Sequence, residues 1–364
     1  MALGAEGLEP VLGGVGFDAD VRTIARANFG LRTAGRVLVR VREFTARTFP
    51  ELERHGHRVP WEQFVTEGMV VHFRVTSKKS RLYHEGGIAE RLTRALLERC
   101  PATTFVAGRG EADVEDHDVL ALPSIQRFVV RFHRDVCTIS VDSSGPLLHR
   151  RGYRNEGGKA PLRETLAASL LLATGWDSAS PLVDPMCGSG TIPIEAAMIA
   201  RRIPPGIRRR FSFERWPGVA GPLVDSIRAE VTAEIRPSAD IAIAGSDRDA
   251  GVIVAAAANA ERAGVAADIQ WRTATLSALE PAARPGWVVT NPPYGARVGD
   301  RTALRDLYAQ LGNVVRKRCP GWRVVIVSAD RMLEGQVGLD WRELVATENG
   351  GLQVRFIAAE VPRK

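Results

Sequence analysis

The sequence predicts an α/β protein in two parts: an α+β region of split β-α-β units, then a mostly parallel, doubly wound sheet. Three observations predict it. Up to Val141, short strand-like and helix-like segments alternate irregularly. From Ser143 to Pro161 a stretch rich in Gly, Pro and Arg interrupts the pattern. Beyond it, strand and helix patterns alternate regularly towards the C-terminus, as in strands joined by helical crossovers. A chain of 364 residues has room for two or three domains of ordinary size, roughly 100–200 residues each.

Each element has its own signal. Asp18–Ala27 reads as a helix with Asp18 or Asp20 as N-cap. Arg36–Val41, Arg-Val-Leu-Val-Arg-Val, reads as a strand after Gly35, and Val70–Val75 as another of near-alternating polarity. Gly87–Cys100 places Ile88, Leu92, Leu96 and Leu97 at the spacing of an amphipathic helix. Arg127–Phe132 and Val136–Val141 are further strands. In the second part, the helix Leu162–Ala173 precedes a short buried strand, Pro181–Asp184, and a helix that runs to Ala200. Ile241–Ala244 is a strand ending on Gly245-Ser246-Asp247, and Ala250–Ala263 is a helix stopped by Gly264. Trp287–Thr290 is a strand, Leu304–Arg318 a helix, and Arg323–Val327 and Leu352–Val361 are strands.

Composition excludes several classes. Hydrophobic residues make up 45% and charged residues 25%, which excludes a disordered, collagenous or fibrous chain. No apolar run approaches the roughly 20 residues of a membrane helix. Met1–Pro10 carries Glu6 and Glu9 and no basic residue, unlike a signal peptide. A cytoplasmic protein with no membrane partner is the expectation, with a monomer as the default. Cys100, Cys137, Cys187 and Cys319 are scattered without a C-x-x-C pair, and His55-Gly56-His57 is a poor metal pair. Neither a metal site nor a disulfide framework is expected, and reduced thiols packed as small hydrophobes are. The 49 Lys+Arg exceed the 42 Asp+Glu by 7, and only Lys78, Lys79, Lys159, Lys317 and Lys364 are lysines. That excess permits a polyanionic partner without requiring one. A GC-rich coding sequence enriches arginine equally well.

Three motifs close successive strands. The first is Asp184-Pro185-Met186-Cys187-Gly188-Ser189-Gly190-Thr191, a carboxylate at a strand end followed by a glycine-rich turn and a helix start. In open α/β sheets, ligands sit at such carboxyl ends. A dinucleotide fingerprint needs Gly or Ala where Pro193 stands, and a P-loop needs a lysine that this turn lacks. The carboxylate of Asp184 would repel a pyrophosphate and suits a cationic ligand such as the ammonium group of S-adenosylmethionine. An ordinary tight strand-to-helix turn is the plainer alternative. The second motif is Gly245-Ser246-Asp247-Arg248-Asp249. Asp247 can accept both hydroxyls of a ribose, while Asp249 suits the N-cap of the next helix; two caps are the alternative.

The third motif, Asn291-Pro292-Pro293-Tyr294-Gly295, is the most specific. An exocyclic amine on a base is a poor nucleophile because its lone pair is delocalised. The Asn291 side-chain carbonyl and the Pro292 backbone carbonyl can each accept one N–H and draw that pair out of conjugation. The prolines stiffen the loop, so the acceptors are pre-organised. Tyr294 offers a ring for a flipped base. A proline turn after a strand would not explain why all three motifs close successive strands in order.

These motifs resemble the amino-methylating class I S-adenosylmethionine-dependent methyltransferases, and the chain is most similar to the THUMP-domain RNA guanine-N2 methyltransferases. Asn28-Phe29-Gly30-Leu31-Arg32-Thr33-Ala34-Gly35-Arg36-Val37-Leu38 resembles the family's lead-in, and Val75–His84 its THUMP segment. Leu148–Arg154 and Ala160–Glu164 resemble the junction into the catalytic domain. The resemblance implies a ferredoxin-like subdomain over residues 1–60, a THUMP-like RNA-binding domain over 61–147 and a Rossmann-like methyltransferase domain over 148–364. It implies Pro161 and Leu162 at the methionine end of the cofactor. It also implies cofactor contacts from Asp184, Pro185, Gly188, Ser189, Gly190, Thr191, Asp247, Arg248, Ala274, Thr275 and Asn291. One departure stands out. The family usually carries an acid after the third strand to receive the adenine amine, and Thr275 occupies that place, a weaker acceptor.

The expected function is therefore methylation of the exocyclic N2 of a guanosine in structured RNA. Large-subunit ribosomal RNA is favoured and transfer RNA comes second. Asn291, Pro292, Pro293 and Tyr294 form the catalytic loop, and S-adenosylmethionine is the methyl donor. Lys78, Lys79, Arg81 and His84, with Arg150, Arg151 and Arg154, are the expected RNA contacts. Arg208–Arg210, interleaved with Phe211, Phe213 and Trp216, fit either RNA or a solvated face. The rivals are an adenine-N6 methyltransferase, since the Asn-Pro-Pro-Tyr loop serves both amines, and a non-catalytic RNA-binding protein.

Overall fold

The computed structural model describes residues 3–105, 125–154, 162–294 and 301–363. The chain forms two compact units, one of residues 1–151 with 204–233, the other of residues 152–203 with 234–364.

The first unit opens with an exposed antiparallel ribbon, β1 (Glu6–Val11) and β2 (Gly14–Asp18), followed by α1 (Val21–Gly30). Asp20, not Asp18, caps α1, accepting the Thr23 amide at 2.7 Å. A five-stranded sheet follows, built from β3 (Leu38–Thr45), β4 (Val70–Lys78), β5 (Thr104–Phe105), β6 (Ile125–His133) and β7 (Val136–Asp142) in the order β3-β7-β6-β4-β5. It carries α2 (Phe49–Gly56), capped by the reciprocal Thr48–Glu51 box, and α3 (Glu85–Arg99). Because β3 pairs with β7, the sheet runs across the boundary expected at 60/61.

Asn28 shows why its motif is built as it is. The buried amide donates to the Ile24 carbonyl at 3.0 Å and to Ser143 Oγ at 2.9 Å, and accepts from Ser144 Oγ at 2.7 Å. Helix α1 is thereby tied to the loop after β7 by a fully satisfied buried network.

The main departure from the expected domains is the segment 204–233. It lies inside the sequence of the catalytic half yet folds with the first unit. Phe211, Phe213 and Trp216 are buried in that unit's core, with Val224, Ile227 and Val231 of α6 (Gly221–Ala233). Phe211 meets Phe29 edge-on with ring centroids 5.1 Å apart, and Trp216 Nε1 donates to Gln126 Oε1 at 2.8 Å. These aromatics are core and offer no face to a base. Arg209 is likewise buried, donating to the carbonyls of Leu147 and Arg150 at 2.6 Å each. The excursion leaves and returns at one place, where Arg201 and Arg236 exchange backbone and side-chain hydrogen bonds of 2.8 and 2.9 Å.

The second unit holds the seven-stranded sheet. Its strands are β8 (Leu182–Asp184), β9 (Ile243–Asp247), β10 (Ile269–Thr273), β11 (Trp287–Thr290), β12 (Arg323–Ser328), β13 (Arg342–Asn349) and β14 (Leu352–Glu360). The order is β10-β9-β8-β11-β12-β14-β13, parallel from β10 to β12 and antiparallel through β14 and β13. This is the Rossmann-like arrangement expected. The strand order reverses between β8 and β11, the switch point where such sheets bind ligands. Helices α4 (Glu164–Ala173), α5 (Thr191–Ala200), α7 (Ala250–Ala263), α8 (Arg301–Arg318) and α9 (Arg331–Val337) complete the unit. Gly264 closes α7 with φ 76°, the left-handed stop its position predicts. Among the described residues, no helix is long and apolar enough to cross a membrane.

Candidate active site

The three motifs meet at one edge of the second unit's sheet. Strands β9, β8 and β11 are consecutive neighbours, about 4.8 Å apart each. Their last residues are Asp247, Asp184 and Thr290, with Asn291 next in the chain.

Asp184 is 1% exposed, and no Lys or Arg among the described residues pairs with it. Burial pushes its carboxyl up to about 7; the Thr290 hydroxyl and the Met186 amide oppose the rise, and the Asp247 charge adds to it. Past Pro185, the turn is stitched by the Cys187 amide to the Ser246 carbonyl at 3.0 Å and by the Gly188 amide to Asp247 Oδ2 at 3.1 Å. Gly188 (φ 50°) and Gly190 (φ 83°) are left-handed, and a Cβ on Gly188 would meet nothing within 4 Å. The turn is therefore open on that side. Gly190 has a different constraint. A Cβ there would stand 2.6 Å from the Trp271 ring, and one on Gly245 would stand closer still. Trp271 of β10 floors both glycine positions, a role that the local pattern around it did not reveal.

Asp247 Oδ1 accepts the Asp249 amide at 3.1 Å, and Asp249 caps α7 through Gly251 N at 2.8 Å, the cap that the sequence predicts. Arg248 is exposed beside them. The Ala274 amide donates to the Asp247 carbonyl at 2.8 Å, which brings the 274–275 segment against the end of β9. The hydroxyls of Thr275 and Ser277 lie 3.0 Å apart, a neutral pair. Leu162 is buried, whereas Pro161 lies outside the described residues. Ser189 and Thr191 are buried at the start of α5. A buried acid with no cation partner, an open glycine turn and a second acid at the neighbouring strand end fit a cationic nucleoside cofactor.

In the loop after β11, Asn291 Oδ1 is buried and has no hydrogen-bond partner among the described residues. Leaving an acceptor so costs about 1–3 kcal/mol, a cost that a donor reaching it would remove. The Pro293 carbonyl accepts from the buried Tyr308 hydroxyl at 3.4 Å, and Tyr294 Oη accepts from Asn349 Nδ2 at 2.8 Å. Tyr308 and Asn349 escaped the sequence reading. A tyrosine within the core stripe Leu304–Leu311–Val315 is a usable signal, because a buried hydroxyl seeks a partner.

The expected RNA contacts separate into two groups. Lys78, Lys79, Arg81 and His84 are all exposed in the first unit. Their loop is fixed through its backbone: Asp135 accepts the Arg81 amide at 2.7 Å, Lys78 O accepts the Arg134 amide at 3.3 Å, and Glu85 accepts the Ser77 amide at 3.1 Å. His84 Nδ1 accepts the Gly87 amide at 2.8 Å and caps α3. Exposed Arg134 and Tyr83 (79% exposed) belong to the same loop cluster. Among the described residues, Lys78, Lys79, Arg81 and Arg134 enter no ion pair.

The second group is corrected. Arg151 is 1% exposed and donates to the Arg32 carbonyl at 2.7 Å, so no phosphate reaches it. Arg154 donates to Leu162 O at 2.7 Å and Thr191 Oγ1 at 3.0 Å and pairs with Glu164 at 3.4 Å, a clamp on the start of α5. Arg150 remains partly exposed.

Known proteins place this geometry. Residues 151–355 match the model of the RMKL-like methyltransferase domain, and residues 1–38 match that of the RlmL ferredoxin-like domain. The Synechocystis sp. protein slr0064, named as a candidate RNA methyltransferase, is 33% identical over 360 residues, covering 99% of this chain and 91% of its own. The ribosomal RNA large subunit methyltransferase K/L of Shewanella baltica is 33% identical over 360 residues, covering 97% of this chain. The chain spans only 49% of that relative's length. Among solved structures, SMU.472, a candidate methyltransferase complexed with SAH, superposes with a TM-score of 0.83 at 30% identity, covering 100% of this chain and 93% of that one. The cofactor is S-adenosylmethionine, and the chain belongs to the RlmL-like family of S-adenosylmethionine-dependent RNA methyltransferases.

Proposed function

We propose that this protein methylates the exocyclic N2 of a guanosine in structured RNA, with large-subunit ribosomal RNA favoured and transfer RNA second. The observation that carries the reading is the buried Asn291 Oδ1 at the end of β11, without a partner among the described residues and two strand ends from Asp247. S-adenosylmethionine supplies an electrophilic methyl group. Asp184 would hold its ammonium group, Asp247 its ribose and Thr275 its adenine, with Leu162 and the 185–191 turn lining the rest. Asn291 Oδ1 and the Pro292 carbonyl would each accept a hydrogen bond from one amine N–H and localise the nitrogen lone pair. N–C bond formation would break the sulfonium S–C bond, release the thioether and be followed by loss of one amine proton to solvent. Tyr294 stacks on the base and holds it out of its helix. These residues work by alignment and hydrogen-bond acceptance, a form of catalysis that asks for no covalent nucleophile.

In vitro methylation of separated ribosomal and transfer RNAs, read by nucleoside mass spectrometry, tests the reading. N2-methylguanosine in the ribosomal fraction is expected. N6-methyladenine as the sole product would overturn the choice of base. Calorimetry without any S-adenosylmethionine binding would overturn catalysis itself in favour of a pure RNA-binding role.

The RNA contacts in the first unit are Lys78, Lys79, Arg81 and His84, with Arg134 and Tyr83 beside them. Reversing Lys78 and Lys79 together to Glu should weaken RNA binding and lower the magnitude of the salt slope by about 2, one for each phosphate no longer neutralised. Anisotropy titrations at several salt concentrations measure it, and an unchanged slope would remove both lysines from the phosphate contacts.

A further inference from the structure

We propose that Asn349 is a positioning residue for the target base, acting through Tyr294, and that the β13–β14 hairpin is thereby part of the base site. The proposal rests on the reading of Tyr294 as the ring on which the base stacks. Asn349 ends β13 and is paired with Leu352 across a two-residue turn. Gly350 and Gly351 take φ 58° and 85°, the left-handed pair that closes a tight hairpin with the natural strand twist. The Asn349 amide is therefore placed by a stiff element. Its Nδ2 donates to Tyr294 Oη at 2.8 Å, a contact 55 residues away in sequence.

A phenol held at its hydroxyl cannot swing about its Cα–Cβ bond, so the position and long axis of the ring are set before the base arrives. From the other side, buried Tyr308 of α8 holds the Pro293 carbonyl. The loop is thus gripped at two consecutive residues by two separate elements, a helix and a hairpin. Strand β13 itself is an edge strand with most of its residues exposed or only partly buried. Core packing gives little reason for an asparagine at its end, whereas the Tyr294 hydroxyl does.

The test is a double-mutant cycle on the full chain with RNA as methyl acceptor, following whichever nucleoside is methylated. Asn349→Ala and Tyr294→Phe should each raise KM for RNA about 10-fold, with a smaller fall in kcat and unchanged S-adenosylmethionine affinity. The double variant should be no worse than either single one. Asn349→Asp, whose carboxylate accepts from the Tyr294 hydroxyl, should retain most of the wild-type KM. Additive losses, or a wild-type KM in Asn349→Ala, would overturn the proposal. Thermal melts of each variant separate misfolding from the effect sought, and Asn349→Asp provides the arm that keeps the hairpin intact. The two readings fail differently. A wild-type product without N2-methylguanosine overturns the guanine assignment, while the cycle still reports on the tether.

Discussion

Asn291→Ala is expected to lower the single-turnover rate of methyl transfer by at least about 10²–10³-fold, the scale for losing one pre-organised hydrogen-bonding group aimed at the reacting centre. Its affinity for S-adenosylmethionine should change far less. The reason is geometric. The Oδ1 atom is buried without a partner among the described residues, so none of the hydrogen bonds described in the 185–191 turn depends on it, and in the proposed reading its donor comes from the substrate. Replacing it by Ala also removes a buried unsatisfied acceptor, so the variant should melt no lower than wild type. Asn291→Asp keeps an acceptor and should retain more activity than Asn291→Ala. Rapid-quench assays with labelled methyl donor give the rate, and calorimetry gives the affinity. Equal losses of rate and affinity in Asn291→Ala would contradict the assigned role.

Asp184 gives the second large effect, and its sign changes with the ligand. In the unfolded chain the carboxyl ionises near 3.8; in the folded protein burial raises this to about 7. Below the lower value both states are protonated and the group contributes nothing. Between the two values the unfolded chain holds fewer protons, so stability falls as pH rises. Above about 7 the full penalty is present, on the order of 4 kcal/mol at about 1.4 kcal/mol per unit. The protein without cofactor should therefore lose stability between about pH 4 and 7. Asp184→Asn should flatten that component, and the difference between the two proteins isolates this one group. A cation beside Asp184 favours the carboxylate, so affinity for S-adenosylmethionine should rise with pH through about 7. Asp184→Asn should bind the cofactor more weakly, by about 10-fold or more at pH 8, with the pH dependence lost. Melting curves and calorimetry across pH measure both. A variant that binds the cofactor as tightly as wild type at every pH would remove Asp184 from the ammonium site.

Much of the second unit was legible because its signals are local. The α7 helix, with Asp249 before it and Gly264 after it, is set by caps lying within a few residues of its ends. Trp287–Thr290 is a short β-rich run bounded by Gly and Pro. Strand β13 was not visible, because an edge strand with exposed charges on both faces has no alternation to read. The first unit's sheet hid a different fact. Strand β3 finds its partner β7 roughly a hundred residues later, which no local pattern encodes. Arg151 and Arg209 look like surface charge in sequence. Only folding shows that backbone carbonyls wait for them in the interior.

By itself, the sequence determined which side chains close the strands: the carboxylates of Asp184 and Asp247 and the amide of Asn291, in a strand–helix alternation. Such features depend on neighbouring residues and on strand direction, both of which one dimension carries. The tertiary structure alone decided what holds that chemistry in place. Trp271 under Gly190 and Gly245, Tyr308 on Pro293 and Asn349 on Tyr294 come from other strands, helices and hairpins. It alone also decided which cations face water, since burial is a property of packing and the charge of an arginine is the same wherever it lies.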